Sequence, residues 1–538
     1  MKKIILLILI SVSVNAQVTQ EWAVRYNRIG NSDDRANSIA ADSLGNIFIA
    51  GFSQNNIGVY AGTVIKYNPA GIQQWVQHYN SPGGESDYLF DLALDNMGNV
   101  YVTGYVYSGI TTKADCITLK YNSNGVLQWS AKFNGPNLDD IGRSIAVDDN
   151  GNVYITGKSD TLALDESSLI TIKYNSAGIQ QWVVRYPGIS GTGNSAGSIA
   201  LDNAANVYVT GSNAVNPGNL DLVTIKYNTN GVQQWTERYN GTGNSFDIPK
   251  CMVLDSSGNV FITGESSGIM SSDCLTIKYN SAGAQQWVAR FNGTANNNDG
   301  GMSIALDNAG NIFVAGSSIV SGPEDILIIK YSPSGSQLWV NTFGGSGNGY
   351  DQGNSIAIDN SGSAYLTGYV RSVTELNDVM TLKYNSGGIL QWTKNYNGGF
   401  DGNDYGNAIV LDNSNNVIIT GYSAATNTTF DIVTIKHSQL VGVTPIKSEI
   451  PEAFSLSQNY PNPFNPVTTI NFSIPKNQNV KLSLYDILGN KVSTFVNENL
   501  NAGSYNTQID ASGFSSGVYF CVLESGVYKE VIKMVLTK

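Results

Sequence analysis

Eight tryptophans recur at a nearly constant spacing, and this spacing limits the possible fold more than any other feature of the chain. Successive tryptophans are 52 to 54 residues apart, at Trp22, Trp75, Trp129, Trp182, Trp235, Trp287, Trp339 and Trp392. A turn motif that begins with aspartate and a triplet centred on lysine each recur eight times with the same period. Self-similarity of this length indicates an array of stacked structural units.

Each unit has the pattern of four short β-strands. In the fourth unit, residues 197–202, 207–211, 221–227 and 233–239 are rich in β-branched and aromatic residues, and Gly- or Asn-containing turns separate them. A sheet of four strands cannot bury both of its faces alone, so neighbouring units must pack on each other. This pattern is typical of a propeller blade.

The two ends of the array predict how it closes. Residues 20–26 carry the first tryptophan strand, which precedes the first complete unit, whereas the last unit stops after its third strand at residues 436–437. The N-terminal strand is therefore predicted to complete the last blade. We expect an all-β chain in which residues 17–437 form an eight-bladed β-propeller of four-stranded blades.

The repeat markers resemble a known family. Residues 144–157 read Ser-Ile-Ala-Val-Asp-Asp-Asn-Gly-Asn-Val-Tyr-Ile-Thr-Gly, and residues 171–175 read Thr-Ile-Lys-Tyr-Asn. Both are similar to the SBBP β-propeller repeat, and the resemblance covers about residues 20–437. It implies a propeller scaffold and no particular reaction.

The N-terminal residues have the features of an export signal. Residues 1–16 combine two lysines, a short apolar run and a small-residue site, which predicts a signal peptide cleaved before Gln17. Nothing later is long and apolar enough for a transmembrane segment. Residues 438–453 contain two prolines and no tryptophan repeat, so we interpret them as a linker.

Residues 454–538 form a different module. Apolar and polar residues alternate between Gly and Asn turns, which predicts a small β-sandwich. The opening Tyr-Pro-Asn-Pro-Phe-Asn-Pro at residues 460–466 and the ending Lys-Met-Val-Leu at residues 533–536 resemble the type A C-terminal sorting domain of type IX secretion. The resemblance implies recognition by the type IX machinery, followed by release or attachment at the cell surface.

Charge and composition exclude several functions. The formal net charge is −12, which opposes nucleic acid as a partner because phosphate-binding faces need clustered Lys and Arg. The chain has two histidines and four cysteines, too few for a multi-histidine metal site or a disulfide framework. No catalytic residue is assigned.

Two aspartate series are the candidate site. The first precedes each repeat at Asp34, Asp87, Asp140, Asp247, Asp299, Asp351 and Asp404, and Asn194 fills the eighth place. The second opens the third strand of six repeats at Asp115, Asp221, Asp273, Asp325, Asp378 and Asp431. In an antiparallel meander both series lie on one rim.

Two interpretations of this rim stay open. Converging carboxylates suit a hard cation, so calcium is the one candidate cofactor, or a cationic or polyhydroxylated ligand. Alternatively, each aspartate accepts backbone N–H groups in its own loop, and the second interpretation is favoured because a position used in every blade usually serves packing.

The leading functional hypothesis is a secreted or surface-attached binding scaffold whose ligand is a glycan, a surface protein or a divalent cation. The main alternative is a carbohydrate-active enzyme that uses carboxylates of the aspartate rim. A structural component of a surface layer is the third. Repeats of nearly equal length with no large insertion favour binding over catalysis.

Overall fold

Every regular element in the described part of the chain is a β-strand, and the strands form antiparallel sheets of four. The computed structural model describes residues 18–28, 32–107, 113–135, 138–160, 167–187, 194–216, 219–268, 271–319, 322–347, 349–372, 376–399, 402–425, 429–439, 444–447, 451–511 and 514–537. The predicted signal peptide at residues 1–16 and its cleavage site lie outside these ranges. Within them, no helix is long and apolar enough to cross a membrane.

Each of the first seven repeats forms one sheet of four consecutive strands. Repeats 1 and 2 contain β2 (Asp34–Ala41), β3 (Ile47–Gln54), β4 (Tyr60–Tyr67), β5 (Gln73–Tyr79), β6 (Asp87–Leu94), β7 (Val100–Tyr107), β8 (Ala114–Tyr121) and β9 (Leu127–Phe133). Repeats 3 and 4 contain β10 (Asp140–Val147), β11 (Val153–Asp160), β12 (Ser167–Tyr174), β13 (Gln180–Pro187), β14 (Ser195–Leu201), β15 (Val207–Asn216), β16 (Asn219–Tyr227) and β17 (Gln233–Tyr239).

Repeats 5 to 7 continue the same order. Their strands are β18 (Asp247–Leu254), β19 (Val260–Ser267), β20 (Ser272–Tyr279), β21 (Gln285–Phe291), β22 (Asp299–Leu306), β23 (Ile312–Ser318), β24 (Asp325–Tyr331), β25 (Gln337–Phe343), β26 (Gln352–Ile358), β27 (Ala364–Arg371), β28 (Asn377–Tyr384) and β29 (Leu390–Tyr396). Repeat 8 contains β30 (Asp404–Leu411), β31 (Val417–Ala424) and β32 (Phe430–Gln439). Its fourth strand is the N-terminal β1 (Val18–Tyr26), which gives the sheet the order β1-β32-β31-β30.

The hydrophobic cores lie between neighbouring repeats. Phe48 and Val64 of repeat 1 pack in one cluster with Val102 of repeat 2. Ile47 of repeat 1 packs in another cluster with Ile418 of repeat 8. The second strand of a repeat is buried on both faces because a neighbouring sheet covers each face, which is why it is almost continuously apolar.

The tryptophans join consecutive repeats. Trp182 of repeat 3 donates its Nε1–H to the Thr229 carbonyl in a turn of repeat 4, at 3.1 Å, and Lys173 Nζ lies 3.0 Å from the same oxygen. A glycine of this turn, Gly231, faces the Trp182 ring with a φ of +78°. Six other tryptophans make the equivalent hydrogen bond to a turn of the following repeat: Trp22, Trp75, Trp129, Trp235, Trp287 and Trp339. These contacts agree with the prediction that the tryptophans pack between repeats.

The first strand of each repeat contains a β-bulge near its middle. In repeat 1 the pairing with β3 shifts between Ala36 and Ser38, which leaves Asn37 as the extra residue. Asn37 donates its Nδ2–H to the Leu89 carbonyl of repeat 2, at 2.7 Å. Such a bulge bends the strand and redirects the side chain of the extra residue.

The C-terminal strands belong to a second compact unit, which includes His437–Lys538. They are β33 (Thr444–Lys447), β34 (Ser455–Leu456), β35 (Val467–Ile474), β36 (Gln478–Tyr485), β37 (Lys491–Leu500), β38 (Gly503–Asp510), β39 (Gly517–Ser525) and β40 (Tyr528–Leu536). Two four-stranded sheets, β33-β38-β35-β34 and β37-β36-β39-β40, share one apolar core around Phe464, Phe472 and Met534. Strand β33 lies within the segment that the sequence predicts as a linker.

Candidate functional site

The first aspartate series is buried, and its carboxylates accept hydrogen bonds from their own loops. Asp247 and Asp404 are each at most 1% exposed. They accept the backbone N–H of Gly241 and Gly398, at 2.8 Å in both cases. The other members of the series also accept a backbone N–H, from the residue five or six positions earlier in the chain: Asp34, Asp87, Asp140, Asp299 and Asp351. This is the geometry that the loop-support interpretation predicts.

Burial changes the acidity of these carboxyl groups. Loss of hydration raises the pKa of Asp34 to about 7 and that of Asp87 to about 6, although backbone N–H groups partly stabilise the charged forms. The same loss of hydration raises the pKa of the other members of the series: Asp140, Asp247, Asp299, Asp351 and Asp404. Such carboxyl groups hold their protons more tightly than exposed ones.

The second aspartate series is paired with basic residues on the fourth strand of the same repeat. Asp431 lies 3.1 Å from Arg25, Asp115 lies 2.8 Å from Lys132, and Asp273 lies 2.9 Å from Arg290. Asp221 and Arg238 are 3.8 Å apart. Two repeats depart from this arrangement. Asp378 accepts a hydrogen bond from Asn395, and in the repeat of Asp325 the place equivalent to Arg290 is held by Thr342.

The structure therefore places both aspartate series in local contacts. The first accepts backbone N–H groups of the preceding loop, and the second mostly contacts side chains on the fourth strand of the same repeat. In the ranges that the structure describes, no three His, Cys, Asp or Glu side chains converge in a way that could hold a metal ion. The binding of calcium or of a polyhydroxylated ligand at these aspartates stays a prediction, and calorimetric titration with calcium would test it.

A separate feature of the same rim breaks the symmetry of the repeats. We call it the aromatic arc, and it consists of Tyr369, Tyr405, Tyr422 and Phe430 in repeats 7 and 8, and of Phe52, Tyr60, Tyr88, Phe90, Tyr105 and Tyr107 in repeats 1 and 2. All ten rings are partly exposed. Ring centroids of neighbouring members lie close together, for example 5.0 Å for Tyr369 and Tyr405, and 4.9 Å for Phe52 and Tyr88.

Arg35 connects the two halves of the aromatic arc. Its guanidinium lies 4.9 Å from the ring centroids of both Tyr422 and Phe430 of repeat 8. Its Nε donates to Asp33 at 3.1 Å, and Asp33 also accepts the Tyr60 hydroxyl at 3.3 Å. At the far end, the Arg143 guanidinium lies 4.7 Å from the Phe90 ring. The arc is thus a continuous strip across four neighbouring repeats.

A cavity of about 460 Å³ adjoins the arc. Its lining combines three tyrosines of the arc with residues that include the bulge residues of four repeats: Asn37, Met302, Gln352, Asn354, Tyr369, Tyr405, Asn407 and Tyr422. The Tyr369 hydroxyl donates to Gln352 at 3.1 Å. Aromatic faces beside amide groups can bind a ligand that is apolar on its faces and polar at its edges.

Tyr60 and Tyr422 of the arc keep their protons under ordinary conditions. Burial raises the pKa of Tyr422 to about 12, and burial together with the Asp33 charge raises the pKa of Tyr60 to about 12. Their hydroxyl groups therefore both donate and accept hydrogen bonds near neutral pH. This chemistry suits the hydroxyl groups of a ligand.

Sequence reasoning missed the aromatic arc, although a signal exists. The residue after the glycine of the second strand is Phe52, Tyr105, Tyr369 or Tyr422 in repeats 1, 2, 7 and 8. In repeats 3 to 6 the same place holds Lys158, Ser212, Glu265 and Ser317. A comparison of repeats at this position finds the asymmetry, but a search for features common to all repeats does not.

Comparisons with known proteins identify both parts of the chain. A β-propeller repeat model of the SBBP family matches residues 21–58, 128–161 and 286–323. A secretion system C-terminal sorting domain model matches residues 458–537. The chain therefore combines SBBP β-propeller repeats with a sorting domain of the Por secretion tail family, as the sequence predicts. The sorting domain indicates secretion or surface attachment through the type IX system.

Three further proteins are more distantly similar to the chain. An uncharacterized WD repeat-containing protein of Acanthamoeba polyphaga mimivirus is 24% identical over 456 residues, which cover 71% of this chain and 29% of that protein. Among solved structures, the propeller domain of the Trilobed protease from Pyrococcus furiosus has a TM-score of 0.39 at 8% identity, covering 66% of this chain and 95% of that one. The polysaccharide lyase Uly1 has a TM-score of 0.44 at 8% identity, covering 77% and 99%.

Proposed function

We propose that this protein is a secreted or surface-attached β-propeller that binds a polysaccharide through the aromatic arc. The observation that carries the proposal is the confinement of aromatic residues to repeats 7, 8, 1 and 2, at a position that other residue types hold in repeats 3 to 6. If this position served packing within a repeat, the same residue type would be expected in all eight repeats. A binding site instead needs residues of one kind in a few neighbouring repeats. Partly exposed rings beside amide groups suit the apolar faces and hydroxyl edges of sugar rings.

We also propose that the eight repeat sheets form one closed eight-bladed propeller and that the C-terminal sheets form a β-sandwich. Asn407 of repeat 8 donates to the Ala36 carbonyl of repeat 1 at 2.7 Å. The same bond joins consecutive repeats, where Asn37 donates to Leu89 and Asn354 donates to Gly406. A contact that recurs between the last and first repeats supports a closed ring, and cleavage before Gln17 would leave β1 available to complete it.

A glycan array probed with the mature chain tests the binding function. Tyr88→Ala and Tyr405→Ala each remove one ring from a different half of the arc. Each is expected to weaken binding roughly tenfold, because the loss of one aromatic contact of about 1.4 kcal/mol changes affinity by that factor. Ile248→Ala is the matched control, since Ile248 holds the equivalent position in repeat 5.

Two results would contradict the binding proposal. Either no polysaccharide binds, or the two tyrosine variants bind as tightly as the unmodified chain. Circular dichroism of each variant separates loss of binding from loss of folding.

Hydrogen exchange tests the ring. Removal of residues 18–26 is expected to expose backbone amides of β32 while the central strands of repeats 3 to 5 stay protected. Unchanged protection of β32 would refute closure by the N-terminal strand.

A further inference from the structure

Two arginines lie against rings of the aromatic arc. Lys132, Arg25 and Arg290 each lie within 3.1 Å of a carboxylate. Lys158 and Lys250 lie 3.3 and 3.2 Å from Asp160 and Glu265. Arg143, by contrast, has neither an ion pair nor a hydrogen bond among the described residues. Arg35 also pairs with a carboxylate, Asp33 at 3.1 Å, but it does so through Nε and not through its terminal N–H groups.

Aromatic rings hold both guanidinium groups in place. Arg35 lies over two rings and is also tied to Asp33, so its side chain has little freedom left to lose on binding. A guanidinium that lies against rings still has the terminal N–H groups at its edge, and these can bind two oxygens of a planar or tetrahedral anion at once. The Arg35 side chain is 36% exposed, which leaves that edge accessible.

The charge of the whole chain makes this arrangement unusual. With a net charge of −12, a polyanion is repelled in general and needs a specific basic site. Arg35 lies in repeat 1 and Arg143 in repeat 3, so the arc offers positive charge at two separate places along the strip of rings. A ligand with charges repeated along a chain matches this arrangement better than a single sugar.

We infer that the polysaccharide bound by the aromatic arc is anionic, with carboxylate or sulfate groups that Arg35 and Arg143 recognise between stacked sugar rings. This inference rests on the proposed function and specifies the ligand class of the same site. Rings supply the stacking surface, and the two guanidinium groups supply selection for charge.

Calorimetric titration of the mature chain with three probes tests the inference: an uncharged glucan, a polyuronate and a sulfated glucan. The chain is expected to bind one or both charged probes at least tenfold more tightly than the uncharged glucan. Arg35→Gln combined with Arg143→Gln is expected to abolish that preference. The control is Lys250→Gln, which removes a basic residue at the bulge of repeat 5 that is already paired with Glu265.

The outcomes separate the two proposals. If none of a broad set of polysaccharides binds, the proposed function fails. If the uncharged glucan binds as well as the charged probes, and the double arginine variant binds like the unmodified chain, the function stands and the anionic ligand is refuted. Comparison of the polyuronate and sulfated probes identifies which anion the arginines recognise.

Discussion

Substitution of Gly231 by alanine tests how the repeats are held together. Gly231 has a φ of +78°, and an added Cβ would lie 2.8 Å from an atom of the Trp182 ring in the preceding repeat. The left-handed backbone costs alanine roughly 1–2 kcal/mol. Displacement of the ring also weakens the Trp182 hydrogen bond to Thr229, a contribution of about 1 kcal/mol, and loses packing. We expect Gly231→Ala to lower the free energy of unfolding by about 3–4 kcal/mol.

Gly84 provides a matched control for this prediction. Its φ is +74°, and an added Cβ would meet nothing within 4 Å. Gly84→Ala therefore carries the backbone cost alone, roughly 1–2 kcal/mol. Urea unfolding followed by tryptophan fluorescence compares the two variants under the same conditions. Equal losses of stability would refute the idea that the glycine turn and the tryptophan form one contact between repeats.

Three further predictions concern charge and export. Because the pKa of Asp34 is about 7 in the folded chain and 3.8 ordinarily, its contribution to stability is full below pH 4 and is lost as the pH rises to about 7. The melting temperature of Asp34→Asn should therefore rise relative to that of the unmodified chain as the pH increases from 4 to 7. A constant difference between the two melting temperatures would contradict this. Thr342→Arg should give Asp325 the basic partner found in other repeats and stabilise the chain by up to about 1 kcal/mol in urea unfolding; a loss of stability would count against this pairing. Removal of residues 454–538 should retain the protein in the periplasm of a host with type IX secretion, as measured by cell fractionation, and unchanged export would exclude this sorting role.

The repeat architecture was predictable because period and strand pattern are local properties. The strands at residues 207–211 and 221–227, for example, are specified by their own β-branched residues and by the turn residues next to them. The pairing of the fourth-strand arginines with the second aspartate series also has a sequence signal. Arg238 and Arg290 recur at one place in the repeat, whereas Thr342 replaces them in repeat 6.

The aspartates show where local reasoning stops. Their spacing fits a shared rim, but it fits an exposed cation site and a set of buried loop supports equally well. Aspartates of a cation site are exposed to solvent, whereas aspartates that support loops are buried. The packing of neighbouring repeats determines which of these holds. Asp34 and Asp404 are fully buried, so desolvation and backbone N–H groups dominate their chemistry.

By itself, the sequence determined the repeat period, the β-strand content and the sorting domain, since each depends on residues close together in the chain. The tertiary structure alone decided the proposed binding site. Arg35 contacts Tyr422 and Phe430, which lie nearly 400 residues later in the sequence. The contact exists because repeat 8 packs against repeat 1 and the pairing of β2 with β3 sets which face carries Arg35. Ten aromatic rings that are scattered in the sequence become one surface for this reason.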